Sequence, residues 1–149
     1  MKERILLLAI FLLCIGFMGC QKYPETQCPC GKIEISKKEY IAMCVVPNVV
    51  TDNSENKLIM ENYTKENMIF CPTASLEYFD ETTWMPITQI GIGGQEGTEI
   101  AVTVYAGKTE DFMFVFSHWI QKYNDSKKGK YRIVKRIDDY QLYAEFEFK

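Results

Sequence analysis

Six cysteines, one histidine and the adjacent acids Asp80–Glu81 and Asp138–Asp139 are the residues of this 149-residue chain whose types and spacing bear on chemistry. A four-thiolate metal centre is usually built from two Cys-x₂₋₄-Cys pairs. Here Cys28 and Cys30 form one Cys-x-Cys, while Cys44 and Cys71 stand singly. His118 lies between Ser117 and Trp119. A serine triad would need a carboxylate such as Asp111 or Asp125 to orient that ring, and a Gly-x-Ser-x-Gly elbow is missing. The glycine-rich run Gly91 to Gly97 lacks the Lys-Ser/Thr that a phosphate loop requires. Asp80–Glu81 and Asp138–Asp139 fall in expected turns, where adjacent acids are ordinarily solvated rather than set across a sugar-binding cleft. These residues predict no catalytic machinery, no cofactor and no bound metal.

Cys20 carries a different chemistry. A short charged head, Met1 to Arg4, precedes an apolar run from Ile5 to Phe17, which ends in Phe17-Met18-Gly19-Cys20. Such an order describes a secretory signal, and the run is shorter than a spanning helix needs. The junction resembles the bacterial lipobox, with Phe17 where Leu is commonest and Met18 where Ala or Ser is commonest. That resemblance implies cleavage of residues 1–19, lipid on Cys20 and a membrane partner reached through the lipid. Stable anchoring takes two or more acyl chains. Gln21 is not the Asp that resembles an inner-membrane retention signal, so the cell envelope is the expected address and its outer membrane is favoured.

Removing residues 1–19 from the 149-residue chain leaves 130 residues, enough for one domain with its own core. The removed segment carries two basic residues and one acid, so the formal charge moves from −3 to −4. No nucleic-acid partner is expected from that balance. One basic cluster, Lys127, Lys128, Lys130, Arg132, Lys135 and Arg136, reads as a solvated loop before an alternating strand. Cys14 leaves with the signal and Cys20 with the lipid. Cys28, Cys30, Cys44 and Cys71 remain as disulfide candidates in an oxidising compartment. A Cys28–Cys30 ring around Pro29 would be strained, so each is expected to reach Cys44 or Cys71.

The elements that must position these residues are short. Residues 20–31 read as a tether broken by Pro24, Pro29 and Gly31. Residues 32–149 read as one β domain. Lys32 to Tyr40 is expected as a first strand, with short strands at 58–60, 68–70, 75–79 and 84–87. Thr98 to Tyr105, Asp111 to Phe116 and Gln141 to Phe148 alternate with period two, the mark of half-buried antiparallel strands. Leu142, Ala144, Phe146 and Phe148 are placed inward. In the final hairpin, pairing Ile137 with Leu142 sets Tyr131 against Phe148 and Arg132 against Glu147. One helical turn is expected at 117–124. Tyr131, just after Gly129, stands where a tyrosine corner would cap the upstream turn through its hydroxyl.

Asn62-Tyr63-Thr64 through Ile69-Phe70, then Leu76-Glu77-Tyr78-Phe79-Asp80 and Trp84-Met85-Pro86-Ile87, resemble bacterial immunoglobulin-like domains found in many lipoproteins. The closing Gly129-Lys130-Tyr131-Arg132 with Ala144-Glu145-Phe146-Glu147-Phe148 resembles that family's final hairpin. The resemblance covers roughly residues 56–149. It departs at Asp80-Glu81-Thr82-Thr83, where the family often has Asp-Gly, and the cysteines lie outside the family pattern. It implies an all-β, antiparallel immunoglobulin-like sandwich.

The function expected on these grounds is a non-catalytic binding or adhesion module for a protein or glycan, held on the membrane by Cys20. Trp84, Trp119, Tyr123 and Tyr143 are its candidate surface, because Trp and Tyr are favoured in recognition patches. The alternative is an inhibitor or accessory protein of an envelope enzyme, acting through a rigid protruding loop stapled at Cys44 or Cys71.

Overall fold

A computed structural model describes residues 30–92 and 100–149. The expected signal, lipidated Cys20, most of the tether and Cys28 lie outside the described residues, as does most of the glycine-rich run.

The described residues form eleven strands and one helix, in chain order: β1 (Gly31–Glu34), β2 (Tyr40–Val46), β3 (Val49–Val50), β4 (Asn56–Asn62), β5 (Met68–Phe70), β6 (Thr73–Phe79), β7 (Trp84–Gly91), β8 (Val102–Val104), β9 (Lys108–Phe114), α1 (Phe116–Asn124), β10 (Gly129–Ile137) and β11 (Tyr140–Phe148). One sheet has the order β1-β2-β4-β9, the other β3-β11-β10-β6-β7, and β5 pairs with β8 alone. Every pairing between named strands is antiparallel except β3 with β11. The inward side chains of both sheets, among them Leu58, Met60, Leu76, Ile133, Leu142 and Phe146, form one core. The fold is an all-β immunoglobulin-like sandwich.

The chain changes sheets between β2 and β3, where the Val46–Pro47 peptide is cis. Asn56, fully buried, holds this crossing: its amide donates to Pro47 O at 2.9 Å, and its Oδ1 accepts from Ser54 Oγ at 2.6 Å. Between β9 and β10, α1 buries Phe116 and Ile120, one turn apart on a single face. It stops where Asp125 and Ser126 turn left-handed (φ 48° and 54°) and the Ser126 N–H reaches Ile120 O at 3.3 Å.

The strand expected over Thr98 to Tyr105 is confined to Val102–Val104 among the described residues, and three further expectations change. The strand expected over 32–40 is two strands with a polar turn between them. Ile35 and Ser36 N–H donate to Glu39 O, and Ser36 Oγ donates to the Glu39 carboxylate. The strand expected through Phe116 ends at Phe114, and Phe116 buries its ring from the helix instead, stacked 4.9 Å from Phe114.

The last hairpin keeps its faces but shifts its register by two. Ile137 pairs with Tyr140, Lys135 with Leu142, Tyr131 with Phe146 and Arg132 with Glu145. Asp138 adopts φ 49°, which closes a two-residue loop where a longer one was expected. Lys135 lies on the inward face in either register, and here it stands against Leu142. That is tolerated because Lys135 Nζ donates to Cys71 O at 2.5 Å and Thr73 O at 2.6 Å. Lys135 is therefore buried, not part of a solvated basic face. Burial holds its ammonium below the usual lysine range.

Candidate functional site

Three connections converge at one end of the sandwich: the β1–β2 turn, the β4–β5 turn and the two-residue β10–β11 turn. They enclose a cleft of about 440 Å³, within the usual range of ligand sites. Ile35, Ile41, Met68, Ile137 and Tyr140 supply its apolar wall, and Glu39, Lys65, Glu66, Asn67 and Asp138 its polar rim.

Asn62 fixes the shape of the β4–β5 turn. It ends β4 fully buried, and its amide donates to Glu66 O and Val104 O, both at 2.9 Å. Its Oδ1 accepts from the Thr64 N–H at 3.1 Å and the Thr64 hydroxyl at 2.7 Å. One side chain thus satisfies four polar groups that burial would otherwise leave costly. Asn67 extends the frame by accepting from the Ala106 N–H at 3.1 Å.

The rim is acidic. Lys65 lies 3.9 Å from Glu39, while Glu66 and Asp138 make no ion pair among the described residues. Beside the rim, Tyr40 and Tyr63 stack at 4.6 Å, and the Lys32 ammonium sits 4.4 Å from the Tyr40 ring centre. Burial, then the neighbouring Glu61 charge, pushes the Tyr40 phenol up to about 12. Apolar side chains stand exposed at the same end: Ile35, Tyr63, Ile69 at 59 % and Tyr105 at 57 %. Loose apolar groups are ordinary on a surface, but several around one concavity mark an interaction site.

The four aromatics expected as one surface divide into two places, both away from this cleft. Trp84 and Tyr143 lie on the outer face of the five-stranded sheet. Trp84 packs 5.1 Å from Phe79 and is covered by the Arg132 guanidinium 4.4 Å from its ring centre. Arg132 in turn bonds Glu77 through two nitrogens, each at 2.7 Å. Trp84 is therefore spent on an internal stack, and Tyr143 stands exposed on another strand. Trp119 and Tyr123 stack at 5.8 Å on α1, where Trp119 also packs against the core.

Cys30 and Cys44 are joined across β1 and β2, with Cα atoms 4.7 Å apart. Cys71 does not join them. It lies in the β5–β6 connection as an exposed free thiol, and β6 belongs to the other sheet. Its Sγ is 3.5 Å from Thr73 Oγ1, and that hydrogen bond draws the thiol below its ordinary range. Cys44 therefore staples two strands, not the protruding loop that an inhibitor would use.

Tyr131 is fully buried. Its hydroxyl donates to Lys127 O at 2.6 Å and accepts from the Asn124 amide at 2.7 Å, which is tyrosine-corner geometry. His118 lies exposed on α1, its ring 6.2 Å from that of Trp119. Among the described residues no three His, Cys, Asp or Glu side chains gather around a common point for a metal. No described helix is long and apolar enough to cross a membrane.

Sequence reasoning missed Asn56, Asn62 and Lys135 as buried polar anchors, and it missed the cleft. The available signal was Asn62 itself, an amide ending an apolar strand before a polar turn.

Residues 37–147 match the model of the bacterial Ig-like domain family. No curated protein matches the chain. Among solved structures, the Pseudomonas fluorescens alkylpurine DNA glycosylase AlkC bound to DNA containing an abasic site analog is similar at 14 % identity and a TM-score of 0.41. The similarity covers 72 % of this chain and only 29 % of that one.

Proposed function

We propose that this chain, which belongs to the bacterial Ig-like domain family, is a lipid-anchored envelope protein that binds a partner through the loop end of its sandwich. The observation that carries the reading is the cleft itself, with exposed Ile35 in its lining and exposed Tyr63 and Ile69 next in the chain to its lining residues Asn62 and Met68. Loops at one end of a rigid sandwich are suited to recognition, because the sheets hold them without depending on their sequence.

The direction of the chain supports an anchor on the far side. Cys30 bridges to Ala144 in the middle of β11, and β1 then runs toward the loop end, with Glu34 opposite Tyr40. A tether from lipidated Cys20 would thus enter from behind and leave the loops facing outward. Nine residues lie between Cys20 and Cys30, a reach of about 35 Å at most.

Two measurements test this reading. Palmitate labelling should appear on the full chain and vanish in Cys20→Ser. Affinity capture from envelope extract should yield a protein or glycan whose retention is lost when Tyr63, Ile69 and Tyr105 are replaced by Ser. Retention unchanged by that triple variant would refute the loop-end assignment. The chemistry of what is retained separates adhesion to glycan from control of an envelope enzyme.

A further inference from the structure

Resting on the loop-end binding reading, we infer that the cleft takes a protein segment presenting one cationic side chain, Arg or Lys, flanked by aliphatic residues. The wall and the rim set two separate requirements. Ile41, Met68 and Ile137 are buried core residues whose edges form the wall, beside the half-buried ring of Tyr140. Such a surface gains by covering aliphatic side chains at roughly 25 cal/mol per Å², and it offers little to a hydroxyl-rich sugar.

The rim sets the sign of the charge. Three carboxylates, Glu39, Glu66 and Asp138, face one ammonium, Lys65, and that ammonium sits beside Glu39. Glu66 and Asp138 approach the cleft from different turns, so a cation between them would meet two acids from two elements. An anionic group at the same place would meet repulsion from both. Like charges brought together at an interface act as a device against wrong partners. The turns are braced for such a role: Asn62 locks the one carrying Glu66, and the other is a two-residue loop. Braced turns lose little freedom on binding.

The probe is the tripeptide acetyl-Leu-Arg-Leu-amide, titrated into the full chain in lipid nanodiscs and followed by backbone amide NMR spectra. Acetyl-Leu-Glu-Leu-amide is the control. The Arg peptide should move resonances of Thr64 to Asn67 and of Ile137 to Tyr140, while the Glu peptide leaves them in place. Replacing both acids, Glu66→Gln with Asp138→Asn, should weaken the Arg peptide about tenfold, since each exposed charge pair contributes up to about 1 kcal/mol. Met68→Ala should weaken it separately if the aliphatic flanks are bound. Equal responses to the two peptides, or shifts confined to other residues, would overturn the inference. In that case, envelope capture still lost in the Tyr63, Ile69 and Tyr105 variant would leave the binding reading standing. If capture is also unaffected, both readings fall.

Discussion

The hydroxyl of Tyr131 donates to the carbonyl of Lys127, 2.6 Å away and four residues upstream. This bond ties the start of β10 to the loop leaving α1, and Asn124 completes it from the last turn of the helix. Removing the hydroxyl in Tyr131→Phe leaves a carbonyl and an amide without their partner. The expected loss is about 1–3 kcal/mol, read as a lower urea midpoint with an unchanged slope.

The same residue predicts a pH dependence. Burial raises the Tyr131 phenol above its ordinary 10.0. A group raised on folding lends stability that is complete below its unfolded pKa and lost as pH climbs through its folded one. The wild type should therefore lose stability above about pH 10 more steeply than Tyr131→Phe. Tyr40 adds to the alkaline limb, and its ultraviolet titration should fall near 12.

The Cys30–Cys44 bond spans a sequence separation of 14 and fastens β1, an edge strand, to β2. A loop of about that size restrains the unfolded chain by about 3 kcal/mol. Replacing both cysteines by Ala should lower stability by that order under oxidising conditions. It should shift the amide resonances of the β1–β2 turn, which carries Ile35 and Glu39, more than those of Thr64 to Asn67 and of Ile137 to Tyr140, which other pairings hold. The strand also depends on Gly31, where a Cβ would run into the Tyr143 carbonyl. Gly31→Ala should therefore expose the Cys30 and Cys44 amides to faster hydrogen exchange.

The Thr73 hydroxyl stabilises the thiolate of Cys71. Iodoacetamide should alkylate Cys71 with a half-maximal pH below that of an ordinary cysteine, and Thr73→Ala should move the midpoint upward. No shift in the variant would mean that the hydroxyl does not hold the thiolate.

Much of the frame was legible because period-two alternation reports which side of a strand is buried. Leu142, Ala144, Phe146 and Phe148 are all inward, as their spacing indicates. The register was not legible by the same logic, since a slip of two leaves every face unchanged. The expected pairing rested on setting Ile137, Ile133 and Tyr131 against apolar partners. It could not allow for the carbonyls of Cys71 and Thr73, which are distant in sequence and accept the buried ammonium. The packing around Trp84 was hidden for a related reason. Trp84 has the residue type of a binding aromatic, but Arg132 and Glu77 come from two other strands to cover it. The cleft is made by three turns that are neighbours only after folding, so no local pattern announces it. Asn62 shows the limit from the other side, because its position was visible and its four bonds were not.

Asn62→Ala should be the most damaging of the polar substitutions. It would take the partner from the Thr64 N–H and from the Val104 carbonyl, while the Thr64 hydroxyl and the Glu66 carbonyl keep only their bond to each other. A loss of about 2–4 kcal/mol is expected, with the resonances of 62–67 and 104–106 shifted most.

The claim that the loop end carries the function is tested most directly by comparing two variants in capture from envelope extract. One replaces Tyr63, Ile69 and Tyr105 by Ser at the loop end; the other replaces Tyr123 and Tyr143 by Ser on α1 and the outer sheet face. The account predicts that the first abolishes retention of the partner while the second retains it as the wild type does. Loss in the second with retention in the first would contradict it.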